Sequence, residues 1–193
     1  MKLSDVEIES WSIVPYTEDK PNKVYYNNGV YAKVWGIDHI DPYTTQDGLT
    51  FTFHGFSRMQ TVALGLINDT TCPAFIDTLY TNDGVCCGYL TAAGTTESVS
   101  AKTFRFIDQV VNLSIGVGYL LRDVTSHNIV YNDGVPSLID IDQPPININE
   151  FAKLAPKERI VWERLLANGT TFASTIMDPV CQYYLTKIKQ VLQ

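Results

Sequence analysis

Alternating apolar and polar positions dominate the first third of the chain and predict strands. Two such runs, in "NKVYYNNGVYAKVWGI", flank Asn27-Asn28-Gly29. Asn and Gly tolerate the positive φ of tight hairpin turns, so we expect a hairpin with Lys33 near the middle of its second strand. A second hairpin is predicted by "AFIDTLY" and "VCCGYL" on either side of Asn82-Asp83-Gly84.

Helical spacing interrupts this β pattern once and then dominates the rest of the chain. Apolar positions from Ser57 to about Asn68 predict one helix among the strands, and a longer amphipathic helix follows Ser100, a residue suited to cap it. Two further helices are predicted from "APKERIVWERLLAN" and "DPVCQYYLTKIKQVLQ". Between them and the long helix we expect a short hairpin around Asn132-Asp133-Gly134 and a constrained loop at "PPININEF".

This order of elements predicts an α+β fold with two lobes. Residues 1–92 would form a β-rich N-lobe with one helix, and residues 93–193 a mostly helical C-lobe, with the polar stretch "TAAGTTES" at the boundary. A length of 193 residues and 45% hydrophobic content are enough for a buried core.

Charge and cysteine usage exclude several classes of function. The net charge is -7 and Lys and Arg are scattered, which argues against binding nucleic acid or an anionic membrane. No run reaches the roughly 18 apolar residues of a membrane span, and the first residues lack the apolar run of a secretory signal. The four cysteines lack zinc-site spacing. We therefore expect a cytoplasmic protein of the source or host cell, without a membrane span.

Candidate chemistry is concentrated in "YLLRDVTSHNIVYNDGVPSLIDIDQP", where Asp123, Asn128 and Asp140 lie close together in sequence. Phosphoryl transfer requires a divalent metal, a cation on the phosphates and a carboxylate beside the attacking hydroxyl. Asp123 suits the last task, and Asn128 and Asp140 offer the oxygen ligands that Mg²⁺ prefers. Lys33 is the candidate cation. The alternative is a helix cap followed by an ordinary hairpin with solvated acids.

These segments resemble motifs of the protein-kinase superfamily. "LRDVTSHN" resembles its catalytic loop, "LIDID" its metal-binding Asp motif, and "VYAK" the strand that ends in its phosphate-contacting Lys. The resemblance covers about Trp11 to Gln143 and implies a two-lobed protein-kinase-like fold with a reduced C-lobe. It implies ATP and Mg²⁺ as cofactors, Asp123 as catalytic base and Lys33 as phosphate ligand. It implies Asn128 and Asp140 as metal ligands. It further implies nucleotide contacts in the helix after Lys33 and in an adenine-binding hinge, from Gln60, Cys87, Tyr89 and Leu90.

The sequence also departs from that family. No glycine lies in "TEDKPN", where the phosphate-covering loop belongs, and no Glu lies on the helix after Lys33, where Gln60 offers a neutral carbonyl. Asp142 replaces a Gly, Thr125 replaces a Lys, and the chain after Asp142 is short. These features indicate a minimal kinase that is not switched by phosphorylation of an activation loop.

The function expected from the sequence is an ATP- and Mg²⁺-dependent phosphotransferase, of the Ser/Thr protein-kinase type, whose acceptor is a protein hydroxyl. Three alternatives stay open. The acceptor is a small molecule, the chain is a nucleotide-binding pseudokinase or interaction module, or it transfers a nucleotide instead of a phosphate.

Overall fold

The first half of the chain folds into a five-stranded antiparallel sheet. The computed structural model describes residues 1–20, 22–35, 43–44, 50–51, 60–152, 166 and 178–192. The sheet strands are β1 (Ser12–Ile13), β2 (Lys23–Asn27), β3 (Val30–Val34), β6 (Phe75–Tyr80) and β7 (Cys86–Ala92), in the spatial order β1-β2-β3-β7-β6. Between them β4 (Tyr43–Thr44) pairs with β5 (Thr50–Phe51).

All three hairpins predicted from Asn- and Gly-containing turns are present. Asn28 and Gly29 join β2 to β3 with φ of 45° and 81°, and Gly84 has φ 81° in the turn from β6 to β7. Asp133, with φ 47°, precedes Gly134 between β9 (Ile129–Asn132) and β10 (Val135–Leu138). In the Asn28-Gly29 and Asp133-Gly134 turns, positive φ at both central residues matches the twist of the flanking strands, which explains why the local sequence was sufficient.

The sheet is closely packed around Lys33. In its register Lys33 lies opposite Val24 of β2 and Tyr89 of β7, and Val34 lies opposite Gly88. A Cβ atom at Gly88 would lie 2.2 Å from the backbone oxygen of Lys33. Gly88 therefore allows β7 to approach the backbone of the strand that carries the lysine.

Among the described residues, the two longest helices lie in the second half of the chain. Helix α1 (Ala101–Val117) follows Ser100, whose N–H donates to Thr103 Oγ1 at 3.0 Å, and helix α3 (Pro179–Val191) packs on it. Their buried faces belong to one large hydrophobic cluster that includes Ile107, Val110, Tyr184 and Ile188. The fold is thus α+β, which confirms the predicted class.

Two element predictions were wrong in detail. The stretch expected to be a constrained loop forms β11 (Ile146–Asn147), which pairs with β8 (Tyr119–Leu120), and helix α2 (Ile148–Ala152). The helix expected to reach Asn68 is described at residues 60–63 and gives way to a turn at Gly65, with φ 70°; residues 57–59 lie outside the described residues. Asn68 Oδ1 instead accepts from the N–H groups of Thr70 and Thr71, an alternative to helical bonding.

The hydrophobic clusters follow the two parts of the chain except at three residues, Leu66, Ile67 and Cys72. The sheet has two small clusters, one around Ala32 and Leu79 and the other around Trp35. Leu66 precedes the boundary predicted at residue 92 but packs in the large helical cluster. Strand β7 ends at that boundary. The helix predicted from residue 155 lies outside the described residues, apart from Leu166, which is buried.

Among the residues described, no helix is both long and apolar enough to cross a membrane.

Candidate functional site

A partly buried lysine of the sheet contacts two aspartates that follow β10. Lys33, whose side chain is 17% exposed, donates from Nζ to Asp140 Oδ1 and to Asp142 Oδ2, the latter at 2.8 Å. These residues are more than one hundred positions apart, so the contact joins the sheet to the second half of the chain. The sequence predicted that Lys33 and Asp140 share a cleft, and the structure brings them into direct contact.

The two aspartates differ in their surroundings. The Asp140 side chain is 41% exposed, whereas that of Asp142 is 7% exposed. Asp142 Oδ2 also accepts a hydrogen bond from Trp35 Nε1 at 3.3 Å, and Trp35 is itself buried. One carboxylate therefore faces solvent beside the lysine, while the other is enclosed with it.

The charges around Lys33 keep it protonated. Burial by itself lowers the pKa of an ammonium group, but Coulombic interactions with Tyr89, Asp142 and Asp140 outweigh burial here and raise the pKa of Lys33 above its ordinary value. The side chain is thus a fixed cation across the physiological pH range, as a phosphate ligand must be.

Asp123 and Asp140 share an unusual backbone conformation. Their φ angles are 56° and 60°, in the left-handed region that few non-glycine residues adopt. Asn28 and Asp133, which also have positive φ, each precede a glycine in a hairpin turn, whereas Asp123 and Asp140 lie outside such turns. Strained backbone at two predicted site residues is consistent with a functional constraint on them.

Asn128 lies between these two aspartates in the hydrogen-bond pattern. Its side-chain Nδ2 donates to the backbone carbonyl of Asp123 at 3.0 Å, and its backbone carbonyl accepts from Ile139 N–H at 2.8 Å. Asp123 N–H in turn donates to the Leu166 carbonyl at 2.8 Å. The loop from Asp123 to Asn128 is therefore bonded directly to the residue that precedes Asp140.

Asp178 is an important residue that the sequence analysis missed. It is buried, it caps helix α3 by accepting from Val180 N–H at 3.0 Å and Cys181 N–H at 2.9 Å, and it accepts from Ser126 N–H at 3.1 Å and from Ser126 Oγ. An Asp before a Pro at the start of an apolar-periodic segment signals the cap. Nothing in the local sequence signals its contact with Ser126, which is 52 residues away.

Burial raises the pKa of two cysteine thiols. Burial, together with the charges of Asp178 and Asp123, raises the pKa of Cys181 to about 12. Burial likewise raises the pKa of Cys87 to about 11. Neither thiol is a nucleophile at neutral pH, because the thiolate is the reactive form.

Gln60 is not a described hydrogen-bond partner of Lys33, and the predicted hinge residues are buried in a strand. Among the described residues, Lys33 hydrogen-bonds to Asp140 and Asp142, and Gln60 is not one of its partners. Cys87, Tyr89 and Leu90 are buried within β7, which pairs with β3 on one side and β6 on the other. Their roles in nucleotide binding stay predictions.

The chain beyond β7 returns to the candidate site. Thr95 and Tyr131 of β9 exchange two backbone hydrogen bonds, of 2.9 and 2.8 Å. A Cβ atom at Gly94 would lie 2.8 Å from Val130 Cβ and 2.9 Å from the Tyr131 carbonyl oxygen. The segment after the sheet is therefore packed directly on the hairpin that joins Asn128 to Asp140.

The donor set fits a magnesium ion better than a transition metal. No group of three His, Cys, Asp or Glu side chains suited to a metal is found within the described ranges. Mg²⁺ is commonly held by one or two carboxylates together with substrate phosphates, so it does not require such a group. Asp140 supplies a carboxylate and Asn128 a carboxamide oxygen, both hard ligands.

A surface cleft elsewhere is less suited to phosphates. It has a volume of about 680 Å³ and lies between the N-terminal residues and the turn after β6, with Leu3, Ile8 and Asn82 in its lining. Its described lining also contains Glu7 and Glu9 but no Lys or Arg. Two carboxylates without a cation repel a phosphorylated ligand, so the candidate site stays at Lys33.

No model of a known protein family matches the chain, and no curated protein matches it.

Proposed function

We propose that the chain is a minimal kinase-like phosphotransferase that uses ATP and Mg²⁺, with a two-lobed arrangement of the sheet and the helical part. The observation that carries the proposal is the contact of Lys33 with Asp140. Phosphoryl transfer requires a cation to bind the phosphates and a carboxylate to bind the metal. Lys33 from the sheet and Asp140 after a short hairpin would supply this pair.

Each residue has a distinct task in this proposal. Lys33 binds the nucleotide phosphates, and Asp140 and Asn128 would hold the metal. Bound Mg²⁺ neutralises charge on the phosphates. Asp123 orients the acceptor hydroxyl and accepts its proton. The hydrogen bond from Asn128 Nδ2 to the Asp123 carbonyl supports this division, because it orients the carboxamide within the loop that carries the base.

We propose that the segment just after β7 contacts the adenine. The backbone of Cys87–Leu90 takes part in a strand that is paired on both sides, whereas β7 ends at Ala92. Residues 93–95 then pack on β9. The side chains of Cys87, Tyr89 and Leu90 would support that segment from within the sheet.

The acceptor is proposed to be a protein hydroxyl, with the cytoplasm of the source or host cell as the compartment. A small-molecule acceptor uses the same four residues, and so does nucleotide transfer to a protein. A binding module without catalysis needs no catalytic base. The left-handed conformation of Asp123, bonded through its backbone to Leu166 and Asn128, favours an enzyme over that alternative.

Mass spectrometry tests this proposal. The protein is incubated with Mg²⁺ and ATP labelled with ¹⁸O in the γ-phosphate, alone, with a heat-treated lysate and with small hydroxylated metabolites. We expect a labelled phosphoryl group on the protein, on a lysate protein or on a metabolite. The Asp140→Ala variant controls for contaminating kinases. No labelled product with any acceptor would contradict the proposal, and addition of a nucleotidyl mass would replace it with nucleotide transfer.

A further inference from the structure

The two aspartates that contact Lys33 are not equivalent, although one residue separates them. Ile141, between them, is buried in the large hydrophobic cluster. Its burial holds the segment in place while the carboxylates on either side turn to the lysine. The two aspartates differ in the exposure of their side chains, and Asp140 also has positive φ.

Asp142 is enclosed with its partners. Its carboxylate accepts from Lys33 Nζ at 2.8 Å and from Trp35 Nε1 at 3.3 Å, and both donors are on or directly after β3. Hydrogen bonds to a charged group are roughly twice as strong as neutral ones. Removing one member of such a buried pair leaves an uncompensated charge, so the contact resists disruption.

Asp140 is the exchangeable partner. Its side chain is much more exposed than that of Asp142, and it is a predicted metal ligand. Lys33 with two carboxylates carries a net charge of -1, which repels a triphosphate. An ammonium group released from Asp140 can donate to a phosphate in place of that carboxylate.

We propose that Asp142 is the positioning residue for Lys33 and that Asp140 alone releases the lysine when a nucleotide binds. Asp142 takes the role that a glutamate would have on the helix after β3, where none is present. This inference rests on the proposed function. It explains the Asp that replaces Gly at position 142: the second carboxylate keeps Lys33 oriented in the cleft throughout the reaction.

The test compares Asp142→Asn with the wild-type protein. Calorimetry in Mg²⁺ gives the Kd of ATP and of adenosine, which lacks phosphates. We expect Asp142→Asn to weaken ATP binding by about tenfold or more, as for loss of a hydrogen bond to a charged group. Adenosine affinity should not change, because Lys33 contacts the phosphates. A merely structural role would weaken both ligands.

The indole N–H signal of Trp35 gives a second readout that does not depend on turnover. It is assigned in ¹H–¹⁵N spectra by its loss in Trp35→Phe. We expect it to shift in Asp142→Asn but not in Asp140→Asn, the matched control in which the neighbouring carboxylate is neutralised. Adding Mg²⁺ and ATP to the wild-type protein should leave it close to its position in the free protein, because Asp142 keeps its partners.

Trp35→Phe also covers the case in which Asp142→Asn does not fold, because it keeps the carboxylate and removes the indole donor together with part of a buried ring. We expect it to weaken ATP binding about two- to tenfold, as for one neutral donor. Equal ATP affinity in wild type, Asp142→Asn and Trp35→Phe would overturn the positioning role while leaving the proposed function standing. A wild-type protein that binds no ATP would overturn both.

Discussion

The sheet and the segment from Leu121 to Asp142 hold their charged groups in different ways. Lys33 belongs to a regular strand that is paired on both sides, so its position follows from register. Asp123 and Asp140 lie in irregular backbone at positive φ, and contacts from distant residues hold them there. The cation is thus positioned by neighbouring strands, and the carboxylates by tertiary contacts.

Because of this difference, substitutions that lower the stability and substitutions that lower the reaction rate are expected at different positions. A change in the sheet should displace the lysine by altering strand pairing. A change in the contacts of the irregular segment should displace the carboxylates and leave the sheet intact. Changing a carboxylate itself should affect the reaction and spare both.

The largest effect is expected from removing the proposed base. Asp123→Asn should lower the rate of phosphoryl transfer by about a hundred- to ten-thousand-fold, the contribution of a positioned base, while calorimetric ATP affinity in Mg²⁺ changes little. Asp133→Asn is the matched control, since Asp133 also has positive φ but lies exposed in a hairpin turn. Equal losses of rate and affinity in Asp123→Asn would show that Asp123 is architectural.

Removing the contact that holds the irregular segment comes next. Asp178→Ala deletes a helix cap, at a cost of about 1 kcal/mol, and leaves the partly buried donors of Ser126 without this acceptor, at a further cost of about 1–3 kcal/mol. The free energy of unfolding, from urea denaturation, should fall accordingly. Asp178→Asn, which keeps one oxygen acceptor, should lose less. Equal stability of Asp178→Ala and wild type would contradict the assigned role.

The sheet is perturbed at Gly88. A methyl group there collides with the backbone oxygen of Lys33, so Gly88→Ala should destabilise the protein by about 1–3 kcal/mol and weaken ATP binding. Gly116→Ala is the control, because a Cβ atom there meets nothing within 4 Å and alanine is favoured inside helix α1. Thermal unfolding of both variants measures the loss of stability. A stable Gly88→Ala protein with normal ATP affinity would show that register does not position Lys33.

The smallest effect is expected at Gln60. Since Asp140 and Asp142 already pair with Lys33, Gln60→Glu should change the Kd of ATP by less than about twofold, a few tenths of a kcal/mol. Calorimetry in Mg²⁺ measures it. A tenfold gain in affinity would instead place Gln60 beside Lys33, as the sequence predicted.

Local patterns were sufficient for the regular parts of the molecule. The Asn28-Gly29 turn placed Lys33 in the middle of a strand, and helical spacing after Ser100 predicted helix α1. Both signals lie within a few residues of the structure they determine. Of the candidate site, the proximity of Lys33 and Asp140 was predictable, because the order of the two motifs resembles a known family.

The other long-range partners were not predictable from one sequence. Trp35 and Asp142 are 107 residues apart, and no local pattern relates them. Because the helix after β3 has no glutamate, Gln60 was the expected neighbour of Lys33, whereas the partner carboxylate comes from Asp142. The stretch before helix α2 has the prolines of a loop, but it forms β11 because β8 lies beside it.

The most direct test of the central claim, that Lys33 and Asp140 form a phosphate- and metal-binding site, is calorimetric titration of ATP into wild type and Lys33→Met, with and without Mg²⁺. We predict binding to wild type that requires Mg²⁺. Lys33→Met should lose at least about tenfold in affinity, as for loss of one hydrogen bond to a charged group. Circular dichroism confirms that the variant is folded. No binding of ATP by wild type, or equal affinity in Lys33→Met, would contradict the account.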